Sequence, residues 1–350
     1  MSLFAIVLGP PVRSSPMEIA KALILSGDPR DGQRPWPTAP ALPRALFPLA
    51  NRPILLHGVE SLRRAGVLEA TVLVAPDAAE TIERVLGNGR RYGVALTYAP
   101  WEPQAGLRGA LSAGRDFVGD EPVLVQRADA VLSGRLTQHI ATFARDGLDA
   151  LTLRLTGSGA SPDGYPDPNP GHLLSPRAIT MLAEPGPLPE AGPLASVRAR
   201  GGRVRVEDIE GLLPGHGDHE SLLAANRAML ERLDSPETEH GGDGTRIQGP
   251  VVVHPTASVI RSTLRGPLIV GPHASITDAY IGPYTSIGAG VVLEGAEIEH
   301  SIVLPEAQLR FVGARMESCV IGRGARVVRT FERPAALRLT LGDSAEVVLP

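Results

Sequence analysis

From Val253 onward, aliphatic residues recur in steps of six: Val253 to Val259, Val270 to Ile276, Ile281 to Ile287 to Leu293, and Ile321 to Val327. Small residues stand four places after several of these, at Ala257, Ala274, Thr285 and Ala325. Glycine follows directly in VGPHAS, IGPYTS, IGAGVV and IGRGAR. Hexads of this type build a triangular parallel β-helix, in which an aliphatic residue fills each inward corner and every coil buries itself on the next. This register is predicted over residues 247–350.

Ahead of it the chain has a different rhythm. AKALILSG, EATVLVAP, VALTYAP and EPVLVQRADA read as buried strands, and ILLHGVESLRRAGV, AAETIERVLGNG and LRGALSAGRDFV, which fall between them, read as helices. Strands alternating with helices of this length call for a mostly parallel sheet covered on both faces. Ligands of such a sheet sit beyond the carboxyl ends of its strands. From Gly157 to Pro193 the chain is rich in Gly and Pro, and a short helix near SPRAITML is the regular structure expected there. HESLLAANRAMLERL reads as a helix with Asp218 as its cap and Leu222, Leu223, Asn226, Met229 and Leu230 at helical spacing. The expected division is an extension without order over 1–16, an α/β domain over 17–233, a polar linker over 234–246 and the β-helix after it.

A chain of 350 residues suits two domains. With 34 basic against 38 acidic residues, it offers no electrostatic case for nucleic acid or an anionic membrane. The apolar run near Met1 is too short to span a bilayer and lacks the features of a secretory signal. A single cysteine, Cys319, excludes an internal disulfide and fits a reducing cytosol. Lys21 is the only lysine; basic charge is otherwise arginine.

An α/β sheet, a helix and a terminal β-helix, together with ALFPLANRPILLHGVESLRRAGV, GLRGALSAGRDFVGDEPVLV, SLLAANRAML, YIGPYTSIGAG, EIEHSIVL and RPAALRLTLGDSAEV, resemble the sugar-1-phosphate nucleotidylyltransferases. Within them the pattern is most similar to the long-form glucose-1-phosphate thymidylyltransferases. The resemblance implies a Rossmann-like α/β nucleotidyltransferase domain followed by a left-handed parallel β-helix. It implies a Mg²⁺-assisted in-line displacement, in which a sugar-1-phosphate oxygen attacks the α-phosphorus of a nucleoside triphosphate and pyrophosphate leaves. Such chemistry is positioning and charge neutralisation. It calls for a glycine-rich loop, cations for the phosphates and acidic residues for the metal.

Matched to the family loop LAGGxGTRLRP, residues 25–35 keep Gly27, Arg34 and Pro35. Asp28 and Arg30 replace two loop glycines, and Gly32 stands where the family has its catalytic arginine. Asp28 places a carboxylate where phosphate oxygens belong, and Pro29 removes an amide donor beside it. Asp28 and Asp31 are expected to project into that phosphate space. The family PK signature reads Pro43, Arg44, which keeps the charge on a larger planar fork. The second family lysine, in an EKP motif, has no counterpart.

The resemblance places Gly106 and Leu107 in the nucleotide site and Trp101 where a base-reading glutamine is expected. An indole stacks on a base without reading its edge. Asp129 in RADAVL matches the first metal aspartate, and the second aligns with Gly215. Each feature also has a plainer account: Asp129 as a solvated or capping acid, and Arg30, Arg34 and Arg44 as surface charges. Likewise His216, Asp218 and His219 suit a helix entry better than a metal site, and His254, His273 and His300 suit coil edges better than an acyltransferase.

Two functions follow. One is an active nucleotidylyltransferase with a remodelled site, in which Asp129 holds Mg²⁺ and Arg34 and Arg44 hold phosphates. The other is a catalytically impaired or silent relative that keeps the fold as a binding, regulatory or subunit-pairing module. Either is expected to be a cytoplasmic oligomer, with itself or with an active paralogue.

Overall fold

The computed structural model describes residues 19–27, 43–132, 135–156, 169–184, 193–214, 219–233 and 244–329. The chain divides into two compact units, residues 1–229 and 230–350.

In the first unit the apolar runs form strands β1 (Lys21–Ser26), β2 (Glu69–Val74), β3 (Ala95–Pro100) and β4 (Val123–Arg127). They are followed by β5 (Ala150–Leu155), β6 (Gly171–Leu174) and β7 (Val204–Ile209). The sheet order is β7-β5-β6-β4-β1-β2-β3. β1 pairs in parallel with both β2 and β4, and β2 pairs in parallel with β3. Only β6 runs against its neighbours, β4 and β5. This is the Rossmann-like, mostly parallel sheet that the alternating pattern predicts. GHLL, at residues 171–174, is the exception: a buried strand in the middle of the sheet, within a segment whose Gly and Pro content predicts little regular structure. Four residues are too short to show alternation, and the pairing on both sides decides the conformation.

Helix α1 (Ile54–Arg64) buries Ile54, Leu55, Leu56, Val59 and Leu62 against the sheet, and α2 (Ala79–Leu86) buries Ile82 and Leu86. The third predicted helix is two pieces, α3 (Gly106–Ala113) and α4 (Arg115–Val118), split at Gly114. A Cβ at Gly114 would lie 2.6 Å from Leu23, so glycine lets the break sit directly on β1. α5 (Leu136–Arg145) and α6 (Pro176–Ala183) follow, and Ser175 caps α6 by accepting the Ala178 N–H at 3.1 Å. After α7 (Pro193–Ala199), α8 (His219–Leu230) buries all five residues expected at its inner spacing. The proposed cap, Asp218, lies outside the described residues.

Over its described residues the second unit is a parallel β-helix of three sheets, each of five short parallel strands. Arg246 pairs with Thr263 and Thr263 with Tyr280, so the first coils are 17 residues, and Ile298 pairs with Met316 in a later coil of 18. Val270, Ile276, Ile281, Ile287 and Leu293 all fall inside, as the hexads require. Val327, on the last strand described, is exposed. His254 and His273 are exposed at turns, where Thr256 Oγ1 lies 2.9 Å from His254 Nδ1 and accepts the His273 N–H at 3.0 Å. Among the described residues no helix is long and apolar enough to cross a membrane.

Candidate active site

The order β3-β2-β1-β4 turns back on itself between β1 and β4. In an open parallel sheet, the crevice beyond the carboxyl ends at such a reversal is where ligands bind. Gly27 leaves β1 at this edge, Trp101 follows β3 and Asp129 follows β4, so the structure gathers three of the predicted site residues on one edge. Gly27 has φ +128°, in a region that favours glycine, and a Cβ there would lie 2.8 Å from Pro103 Cγ. Lys21 begins β1 at the opposite edge, paired with Glu121 at 3.0 Å, and so contributes nothing here.

Asp129 is held by its neighbour. Arg127 Nε donates to Oδ1 at 2.9 Å and Nη2 to Oδ2 at 2.8 Å, with the side chains 17% and 10% exposed. A planar fork on both carboxylate oxygens is the strongest arrangement of this pair. The local backbone makes it possible. Ala130 N–H bonds the Arg127 carbonyl at 3.2 Å, closing a tight turn that brings residues 127 and 129 side by side. The turn is pinned to the sheet through Arg127 N–H to the Pro170 carbonyl at 3.0 Å and Ala128 N–H to the Leu25 carbonyl at 2.8 Å. Beneath it, Gln126 Nε2 donates to the Ala130 carbonyl at 3.1 Å.

Trp101 is 7% exposed and packs with Leu23, Leu73, Ala110 and Leu111. Its indole N–H points to the Ser26 carbonyl at 3.3 Å, and its backbone N–H continues the ladder to Val74 at 3.1 Å. The ring is therefore part of the wall between β1 and β3. Gly106 is exposed at the start of α3 with φ +57°, and Leu107 is partly buried beside Trp101's cluster.

Comparison with known proteins bears on this edge. Residues 21–165 match the nucleotidyl transferase family model. The chain is 29% identical to a glucose-1-phosphate thymidylyltransferase of Streptomyces antibioticus, over 93% of this chain and 99% of that one. It is 28% identical to the low-salt glycan biosynthesis nucleotidyltransferase Agl11 of Haloferax volcanii, over 94% and 100%. The chain is therefore similar to nucleotidyltransferases along most of its length, and its first unit carries the match to their family model. Among solved structures, a Bacillus anthracis chain assigned as a glucose-1-phosphate thymidylyltransferase, crystallised with a sucrose, aligns with TM-score 0.52 at 18% identity. It covers 62% of this chain and 97% of that one, a likeness of fold.

Set against the metal chemistry that the resemblance implies, the donor set among the described residues at this edge fits a divalent ion poorly. Both oxygens of Asp129 are engaged by a guanidinium. Among the described residues no three His, Cys, Asp or Glu side chains converge. The phosphate loop from Asp28, with Arg30, Asp31, Gly32 and Arg34, lies outside the described residues, as do Gly215 and His216. Arg44 is described, half-buried in a short turn of 3₁₀ helix over Arg44–Leu46.

Two further residues complete the picture: Arg127, which the sequence reading passes over, and Asn226, which helical spacing places on the inner face of α8 without giving it a role. Arg127 engages both carboxylate oxygens of Asp129. Asn226, fully buried on α8, accepts the Ala50 N–H at 2.9 Å and so fixes the turn that carries LFPLANRPIL past the sheet. Asn226 belongs to SLLAANRAML, one of the motifs carrying the family resemblance, which was its available signal.

Proposed function

We propose that this nucleotidyltransferase-family protein is catalytically impaired or silent and that it serves as a binding, regulatory or subunit-pairing module. The observation that carries the reading is the Arg127 clasp on Asp129, the one acid that matches a family metal ligand. The sequence of the loop adds to it, with Asp28, Arg30 and Gly32 at positions where the family places glycines and an arginine. The burial of Trp101, where the resemblance expects an amide that reads a base, adds to it again. Each well-placed electrostatic contact lowers such a barrier by about 3–4 kcal/mol. Losing the metal contact and the loop contacts together costs many orders of magnitude in rate.

On this reading the chain acts in the cytoplasm, paired with itself or with an active paralogue. The other reading has its own support. Identity of 28–29% to nucleotidyltransferases over more than nine-tenths of the chain favours an enzyme joining a sugar-1-phosphate to a nucleotide. There Arg34 and Arg44 would hold phosphates, and Asp129 would have to exchange Arg127 for Mg²⁺.

Pyrophosphate release separates them. The full chain is incubated with Mg²⁺, each nucleoside triphosphate, and glucose-1-phosphate or another sugar-1-phosphate. The expected rate equals that of the Asp129→Ala variant. Turnover that disappears in Asp129→Ala makes the protein an active pyrophosphorylase with a rebuilt site.

A further inference from the structure

We propose that Arg127 is a built-in cation, a guanidinium that occupies Asp129 in place of a divalent metal and keeps the metal out. This rests on the reading above, of a cleft that has lost its metal chemistry, and adds what replaced that chemistry.

Three features carry it. The pair is built into the fold: the turn from Arg127 to Ala130 is tied to residues on both neighbouring strand edges, through Pro170 on one side and Leu25 on the other, so the backbone that carries both partners is fixed. The pair is also sheltered, with neither side chain more than 17% exposed, so solvent and salt screen it little. Finally, the fork takes both oxygens at once. A dication approaching the remaining lone pairs would meet the guanidinium charge a few ångströms away, in surroundings where like charges repel strongly. Mg²⁺ demands near-ideal octahedral geometry and sheds water reluctantly. Taking Asp129 from a sheltered guanidinium that already holds both oxygens costs the ion this pair, and among the described residues no second acidic ligand converges there to offset the loss.

The charge balance at the edge also changes. A carboxylate with a divalent ion carries a net positive charge toward an incoming polyphosphate, whereas a carboxylate with a guanidinium carries none. The cleft is therefore less attractive to a triphosphate, and divalent ions do not alter that attraction.

The probe is Mn²⁺ alone, titrated into the full chain and followed by the paramagnetic resonance of the free ion. The wild type is expected to bind no more Mn²⁺ than Asp129→Asn does. Arg127→Gln, which removes the charge but keeps a donor, is expected to gain one site at least tenfold tighter. That site should vanish in the double variant Arg127→Gln/Asp129→Asn. Should Arg127→Gln fail to fold, Arg127→Met, similar in length and uncharged, takes its place. A wild-type site abolished by Asp129→Asn overturns the proposal, and so does a folded uncharged variant that gains no site. Failure here is distinguishable from failure of the functional reading. Silence in the pyrophosphate assay beside an Asp129-dependent Mn²⁺ site removes the built-in cation and leaves the impaired enzyme. Turnover that persists in a chelator and survives Asp129→Asn does the reverse.

Discussion

The β-helix and the carboxyl edge of the sheet solve the same problem, satisfying backbone groups where strands stop, in opposite ways. In the β-helix one solution is repeated. At one corner Arg261, Asp278, Gly295 and Phe311 take positive φ in successive coils, although only one of the four is a glycine. A left-handed conformation costs a non-glycine residue about 1–2 kcal/mol. At each of the last three positions, a bond to the preceding coil offsets it: Asp278 N–H to Ile260, Gly295 N–H to Thr277 and Phe311 N–H to Glu294, at 3.2, 3.0 and 2.7 Å. At the sheet edge no position repeats. Gly27, Trp101 and the Arg127 turn each use a different device. Repetition fixes a fold tightly; a set of single solutions leaves chemistry free to drift while the fold persists.

The largest effect that tests this contrast is in the stack. Leu293 is fully buried among Ile276, Ile287 and Leu309 in the β-helix core. Leu293→Ala is expected to destabilise that unit by about 3 kcal/mol, through lost transfer energy and the cavity left behind. Val327, 38% exposed at the last described strand, should tolerate alanine at well under 1 kcal/mol. Denaturant titration, read with hydrogen exchange at the coil amides, measures both. Equal costs would mean that the stack does not tighten inward and that repetition is not what fixes it.

The same contrast explains what the sequence shows. Hexads from Val253 and the alternation before Leu132 expose both units, because each buried position is one of a series. The short strand at 171–174 is invisible, since GHLL has no period of its own and owes its state to β4 and β5 on either side. Gly114 interrupts a helix that composition alone would run straight through, because what matters there is the distance to Leu23. At the site, the resemblance picks out Asp129 and Trp101 by position. It says nothing of what they touch, and an arginine two residues before an aspartate looks like ordinary surface charge until a turn folds one onto the other.

A smaller effect tests whether single solutions near the edge are independent. Ala50 and Asn51 form the two-residue turn of a hairpin in which Pro48 pairs with Pro53, with φ +46° and +61°. Such a turn favours Asn and Gly, so alanine at its first position is a local misfit. Buried Asn226 holds it by accepting the Ala50 N–H. Asn226→Ala strands that donor and should cost about 1–2 kcal/mol. Ala50→Gly in the same background should recover part of the loss by relieving the backbone. A denaturation midpoint unmoved by Asn226→Ala would show that the turn holds itself.

The smallest effect is a pH dependence on α1, behind that same hairpin. His57 is partly buried, and its Nε2 lies 3.0 Å from the Leu49 carbonyl. Desolvation pushes its pKa below the ordinary 6.5, with the Arg52 charge acting in the same direction, while the Leu49 bond and Glu60 oppose them. The unfolded chain therefore takes up a proton at a higher pH than the folded one. This contribution to stability is fully present above about 6.5 and is lost as pH falls from there through the lower folded pKa. His57→Gln keeps a donor for the Leu49 carbonyl and removes the titration. Between pH 7.5 and 5.5 the wild type should lose stability relative to this variant, by less than either loss above. If it gains instead, protonated His57 is better satisfied in the fold than in water. The hairpin and α1 would then be held by charge on Glu60 more than by burial, and this corner of the sheet edge would be electrostatic in the way that the Arg127 turn is.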